Sequence, residues 1–166
     1  MRKKGTEKNT KSQDKEFEEQ LIEVRRVTRT VAGGRRLSFR ATVVVGDKKG
    51  RVGMGIGKNP DVSTAISKAV NKAKKNLITV PINEQGSVPH FLEAKFKASK
   101  VRIRPAPEGS GLVVGGSIRA LFELAGYRNV TAKILGSKSK INNLKAVLLA
   151  FRKIRKRDLK SSNNDK

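Results

Sequence analysis

The chain has no cysteine, no tryptophan, one tyrosine and one histidine, and it sets only 14 acidic residues against 38 lysines and arginines. Each shortage excludes something. Without cysteine there are no disulfides and no thiolate metal sites; a reducing compartment is compatible with this but not proven by it. A lone His90, beside Pro89 in an extended segment, cannot supply ordinary zinc spacing, and no G-x-S-x-G elbow accompanies it for a Ser-His-Asp arrangement. Glu84, Glu93, Glu108 and Glu123 show no paired spacing that would make a shared acid–base site. No apolar run approaches membrane-spanning length; the longest near the end is Ala146 to Phe151. The N-terminal stretch lacks the apolar centre of a secretory signal, and Glu16, Glu18 and Glu19 argue against an organellar transit peptide.

What is present is positive charge. A formal net charge of +24 on 166 residues is self-repelling unless a polyanion neutralises it, which means a nucleic acid or an acidic membrane surface. Interfacial membrane helices carry aromatic, strongly apolar faces that these segments lack, so no membrane partner is expected. The length suits one ordinary domain or two small ones, and 36% hydrophobic residues suffice for modest cores but not for one large core.

Residues 1–16 are charged and aperiodic: a disordered basic arm, or equally a solvated tail with no role. Order should begin near Phe17 to Val27. Leu37 to Val45 alternates, with Leu37, Phe39, Ala41, Val43 and Val45 on one face and Ser38, Arg40 and Thr42 on a polar face free to meet something. Asp47 to Gly50 reads as a turn into Arg51 to Gly57, where Val52, Met54 and Ile56 share a face and Gly53, Gly55 and Gly57 thin the other so that a layer can approach closely. A helix should follow, capped by Asn59 with Pro60 as its first residue, burying Val62, Ile66, Ala69, Ala73 and Leu77 and displaying Lys68, Lys72 and Lys75. The domain boundary is placed within Val80 to Ser87. Beyond it come extended segments (Val88 to Lys97, Lys100 to Pro105), a Gly-rich loop at Pro107 to Gly111, a helix over Ser117 to Ala125 closed by Gly126, a strand over Val130 to Leu135 and a helix over Asn142 to about Arg155.

Neither Gly-rich stretch is a nucleotide motif. A P-loop needs glycine where Val52 stands and serine or threonine where Asn59 stands; a dinucleotide fingerprint needs glycine at Val114. Gly50-Arg51-Val52-Gly53 has the spacing of a KH loop but sits in a hairpin rather than between helices, and the scattered phenylalanines do not make the stacking sheet of an RNA recognition motif. The signal that survives is Arg25-Arg26-Val27-Thr28-Arg29-Thr30-Val31-Ala32-Gly33-Gly34-Arg35-Arg36: five arginines around a Gly-Gly turn, with no acid among them. Arginine forks grip phosphates, and glycines let a backbone come close to a sugar-phosphate chain. With Lys48, Lys49, Arg51, Lys58 and the lysines of the helix, this forms an expected footprint for folded RNA.

The runs VAGGRRLSFRATVVVGDKKGRVGMGIGKN, AISKAVNKAKKNLI, PAPEGSGLVVGGSIRALFELAG and NVTAKILGS, together spanning about Leu21 to Phe151, resemble the bacterial-type small-subunit ribosomal protein S-five family. The resemblance implies an α+β fold of two small two-layer domains: a double-stranded-RNA-binding-like sheet plus helix over 17–80 and a βαβα unit over 81–156, followed by a polar tail over 157–166. The second fold is shared with small-molecule kinases, which makes a phosphotransferase the competing reading, on fold analogy alone. In the family no nucleotide is bound, so neither cofactor nor small-molecule substrate is expected, and the chain is not read as an enzyme. Thr28 to Arg36 resembles the family's loop toward the head and neck of the small subunit, where spectinomycin resistance arises. The segment carrying Gly109, Ser110, Gly111, Gly115, Gly116 and Arg119 resembles the surface that faces ribosomal protein S-four, where changes alter decoding accuracy. Protein S-eight and messenger RNA near its point of entrance are further implied partners, in a cytoplasmic or plastid ribosome.

Overall fold

The computed structural model describes residues 17–154. The basic arm expected over 1–16 and the polar tail over 157–166 lie outside the described residues, as does Arg155. In chain order the elements are β1 (Glu18–Val31), β2 (Gly34–Gly46), β3 (Arg51–Asn59), α1 (Val62–Lys75), β4 (Leu77–Thr79), β5 (Leu92–Phe96), β6 (Ser99–Pro105), β7 (Leu112–Val114), α2 (Gly116–Ala125), β8 (Val130–Leu135) and α3 (Lys140–Lys153). The first four strands form an antiparallel sheet in sequence order, and the second sheet runs β5-β6-β8-β7. Within it β7 and β8 are parallel, joined by α2, and α3 follows, so the expected βαβα unit is present with the β5–β6 hairpin added to its edge. The α+β class stands; β4 and β7 are each three residues long, too short to show a pattern, and Leu77, expected on the buried stripe of the helix, instead opens β4.

The glycines of β3 decide how α1 packs. A Cβ on Gly53 would lie 2.6 Å from the carbonyl oxygen of Ala73. On Gly55 and Gly57 it would come closer still to the carbonyl oxygens of Ala69 and Ala65. Helix and strand therefore meet backbone to backbone, and the buried side chains of α1 are Ala65, Ala69, Val70 and Ala73. The larger Val62 and Ile66, expected on that stripe, are only half-buried. The cap differs too: Asn59 stays in β3, paired with Phe39, and Asp61 caps the helix.

Asp61 accepts from the Ser63 hydroxyl at 2.6 Å and from the Thr64 amide and hydroxyl at 2.9 Å. The Ser63 bond, then those from Thr64, hold its carboxyl down at about 2, from an ordinary 3.8. A carboxylate whose pKa is lower in the folded state stabilises above its unfolded value, and that contribution is lost as pH falls through the folded one. The Asp61→Asn variant keeps a capping side chain but not the charge. Its urea midpoint should lie below that of the parent at pH 6, and the gap should close between about pH 4 and 2. A gap independent of pH would mean that the charge contributes nothing.

Thr42, read from the sequence as part of a polar face free to meet something, is 1% exposed, and Val44 beyond it on the same face is 0% exposed. The face carrying Val44, Val52 and Met54 is covered by α2, and one hydrophobic cluster runs from these residues through Ile118, Leu121 and Phe122 to Val101, Ile103, Leu144 and Phe151. The two sheets thus share a core, where separate modest cores were expected. Helix α2 is buried at six positions because both sheets use it. A smaller cluster (Ala41, Val43, Val45 with the α1 alanines) fills the other side of the first sheet.

The halves also meet through backbone. In the Asp47–Gly50 turn, the Lys48 and Gly50 amides donate to the carbonyls of Leu124 and Ala125, each at 2.9 Å. These are carbonyls that a helix C-terminus leaves open. Gly126 ends α2 at φ 97, and a Cβ there would strike the Lys48 carbonyl; one on Gly46 would strike that of Leu124. The segment between the sheets is pinned alongside: Tyr127 donates its hydroxyl to the Pro81 carbonyl at 2.9 Å, and Asn129 donates its amide nitrogen Nδ2 to the Gln85 carbonyl at 2.7 Å.

Candidate nucleic-acid interface

Pairing of β2 with β3 stops at Phe39 opposite Asn59, while β1 and β2 pair on to Val31 opposite Gly34. Beyond Phe39 the chain is therefore a two-stranded ribbon, turned by Ala32 and Gly33, with Gly34 at φ 136. A Cβ on Gly34 would meet nothing within 4 Å, so its glycine serves the backbone angle and not packing.

Register arranges the arginines. Arg29 lies directly opposite Arg36, and Arg25 opposite Arg40, which is in turn opposite Lys58 on β3. Strand alternation puts these five cations on one face of the ribbon and sheet. Among the described residues the one acid that meets them is Glu23, which accepts from the Arg25 Nε at 2.8 Å. Like charges directly opposite on neighbouring strands are destabilising. The Arg29–Arg36 pair lies on the ribbon and the Arg25–Arg40 pair at its base in the three-stranded sheet, where Glu23 already partners Arg25, so the ribbon pair is the one left without a carboxylate among the described residues.

The other face carries Arg26, Thr28, Thr30 and Arg35 on the ribbon and continues onto α1. Lys68 donates to the Asn59 side chain at 3.3 Å, next to Phe39 and Arg26 in the register row, and Lys72 and Lys75 follow, exposed, toward the far end of the helix. The expected footprint is therefore two basic faces around one ribbon. Arg40, expected on a polar face but not in the footprint, joins this cluster through register, which its own neighbours in sequence do not reveal.

Lys48, Lys49 and Arg51 do not join this cluster. They stand beyond the opposite end of β2, whose last residue Gly46 is about 33 Å from Arg36 at roughly 3.3 Å per residue. Lys48 pairs with Glu18 at 2.6 Å, and Arg51 with the enclosed Asp47 at 2.6 Å while lying over the Phe17 ring. Burial tends to raise the Asp47 carboxyl, but the Arg51 side chain and the amides of Arg51 and Lys49 outweigh it, and the net direction is down.

The Gly-rich loop is exposed on the second half. Gly109 and Gly111 hold φ 85 and 69 with open space around them; the Gly111 amide donates to the Asn129 side chain at 3.1 Å. Gly115 is the N-cap of α2, where a Cβ would press on Ile134 at 2.9 Å, whereas Gly116 has open space. Arg119 pairs with Glu123 one turn on, at 2.7 Å. Among the described residues no three His, Asp or Glu side chains gather as a metal site, and no helix is long and apolar enough to cross a membrane.

Residues 17–81 match the family described as ribosomal protein S5, N-terminal domain, and residues 94–163 match ribosomal protein S5, C-terminal domain. Among curated proteins, the chain is 54% identical over 145 residues to the small ribosomal subunit protein uS5 of Mycoplasma mobile, covering 87% of this chain and 60% of that one. It is 48% identical over 143 residues to uS5c of Emiliania huxleyi, covering 85% and 90%, and 46% identical over 153 residues to uS5 of Prochlorococcus marinus strain MIT 9215, covering 92% and 74%. The chain thus spans about three fifths of the length of the Mycoplasma relative and most of the length of the Emiliania one.

Proposed function

The chain belongs to the ribosomal protein S5 family, a family of structural and not enzymatic proteins, and from that premise we propose that it is a small-subunit component that binds rRNA with the β1–β2 ribbon as its principal grip. The observation that carries the reading is the pairing of Arg29 with Arg36 and of Arg25 with Arg40 across the strands. Such pairs cost stability in the free protein and gain from phosphates lying along them. Arg26, Thr28, Thr30, Gly33, Gly34 and Arg35 line the other side of the same ribbon, and Lys58, Lys68, Lys72 and Lys75 extend the contact back toward the body. The split geometry fits recognition by shape, with the ribbon reaching between segments of a folded RNA.

Contact with proteins S-four and S-eight, support of decoding accuracy and proximity to incoming messenger RNA belong to the same reading. The exposed loop of Gly109, Ser110 and Gly111, with Gly115, Gly116 and Arg119 behind it, supplies the surface proposed for S-four. The distant Lys48, Lys49 and Arg51 are assigned a smaller part, because two of the three already have carboxylate partners.

Each phosphate neutralised lowers the slope of log affinity against log salt by about 0.9 for duplex and 0.7 for single strands. With a transcript of small-subunit rRNA, Arg35→Gln combined with Arg36→Gln should therefore make the slope shallower by about 1.4–1.8. An unchanged slope would remove the ribbon tip from the interface.

A further inference from the structure

The second sheet has one covered face and one bare one. Leu92, Ala94, Val101, Ile103, Val130 and Ala132 enter the core with α2 and α3. The alternate positions carry Lys95 on β5, Lys100, Arg102 and Arg104 on β6, and Lys133 on β8, with Arg102 directly opposite Lys133. Among the described residues the sole acid in this patch is Glu93, and it is already shared between Lys100 at 2.5 Å and Arg102 at 2.7 Å. Lys95, Arg104 and Lys133 have no acidic partner among the described residues. Phe91 completes the surface: it is 49% exposed, and the Arg104 guanidinium stands 5.6 Å from its ring centroid.

Nothing in the fold requires this composition. A bare sheet face for solvent alone is served by mixed signs, and an exposed phenylalanine there gains nothing from water. Unpaired cations spaced along neighbouring strands, beside an aromatic ring backed by a guanidinium, match a phosphodiester chain with a splayed base: charge for the backbone, a π-face for the base. An acidic protein would use the charge but has no need of the aromatic–guanidinium platform.

We propose that the bare face of the second sheet is a second RNA-docking surface, in which Lys95, Arg104 and Lys133 hold phosphates of an unpaired rRNA segment and Phe91 stacks on one of its bases. It rests on the rRNA-binding reading above but uses a different sheet from the ribbon.

The test compares the whole protein with two variants on a small-subunit rRNA transcript: the triple variant Lys95→Gln, Arg104→Gln, Lys133→Gln, and Phe91→Ser. The triple variant should make the salt slope shallower by about 2, from three contacts to a single strand. Phe91→Ser should leave the slope alone and weaken binding roughly fivefold to a hundredfold, the range for loss of one base–aromatic stack. On the unaltered protein, rRNA should protect Lys95 and Lys133 from acylation, a readout that does not depend on any variant folding. Unchanged slope and unprotected lysines, with the Arg35 and Arg36 variant still showing its deficit, would overturn this surface while leaving the ribbon in place. If the triple variant bound naked rRNA normally but was lost from assembled subunits, the face would belong to a protein partner and the proposal would fall. If neither the ribbon nor the sheet variant changed the slope, the rRNA-binding reading itself would fail.

Discussion

Replacing Gly55 with valine is expected to abolish the native packing of α1 on the first sheet. The added Cβ would sit against the Ala69 carbonyl oxygen and within 2.6 Å of the Ala73 amide nitrogen, inside the 3.0 Å that real Cβ atoms essentially never breach. Overpacking in a core usually costs about 1–3 kcal/mol because side chains can yield. Here the opposing atoms are helix backbone, which cannot rotate aside, and neighbouring Gly53 and Gly57 hold the helix at the same close distance. The loss should exceed about 4 kcal/mol, the range of severe core disruption, against a total stability of about 5–15 kcal/mol for a domain. Urea unfolding followed by circular dichroism measures it. A midpoint within experimental error of the parent would show that α1 can lift off the strand without cost.

The second large effect is expected at Gly126, and its signature is lost cooperativity. Gly126 holds φ 97, which costs a side-chain-bearing residue roughly 1–2 kcal/mol. A Cβ there would also collide with the Lys48 carbonyl, in the turn whose amides cap α2. Gly126→Val should therefore push the Asp47–Gly50 turn off α2 and open the seam between the halves. The single tyrosine offers a clean probe: Tyr127 is 3% exposed, within ring-contact distance of Phe122 and Phe151, and there is no tryptophan to obscure it. In the parent, unfolding followed by Tyr127 fluorescence and by far-ultraviolet circular dichroism should coincide, as for one cooperative unit. In the variant the two curves should separate. Coincident curves at a lower midpoint would mean that the shared core alone couples the halves.

The parts of this fold that could be read from the sequence are those governed by near neighbours. Alternation around Leu37 to Val45 and Arg51 to Gly57, the glycine track of β3 and the Gly126 stop all depend on residues within a few positions, and all appear where expected. The helix start was misplaced by two residues because Asn59 and Asp61 are both good caps; the ladder from Phe39 claims Asn59 for the strand, which leaves Asp61. Burial of Thr42 was missed because the covering helix arrives more than seventy positions later in the chain. The candidate site divides in the same way. The arginine-rich ribbon is a local signal, whereas the remoteness of Lys48 from Arg36 and the alignment of Arg25, Arg40 and Lys58 need strand lengths and register.

The sharing of α2 between the sheets sets a clock on biosynthesis. The first sheet and α1 emerge from the ribosome before α2 exists, so the face bearing Val44, Val52 and Met54 has no cover when β3 is complete. The seventy-odd residues between Met54 and Gly126 take about 4–14 s to add at roughly 5–20 residues per second. For that interval each nascent chain presents a naked apolar sheet flanked by an arginine ribbon, a form exposed to aggregation and to nearby RNA alike, and its safe passage depends on how fast the second half is translated.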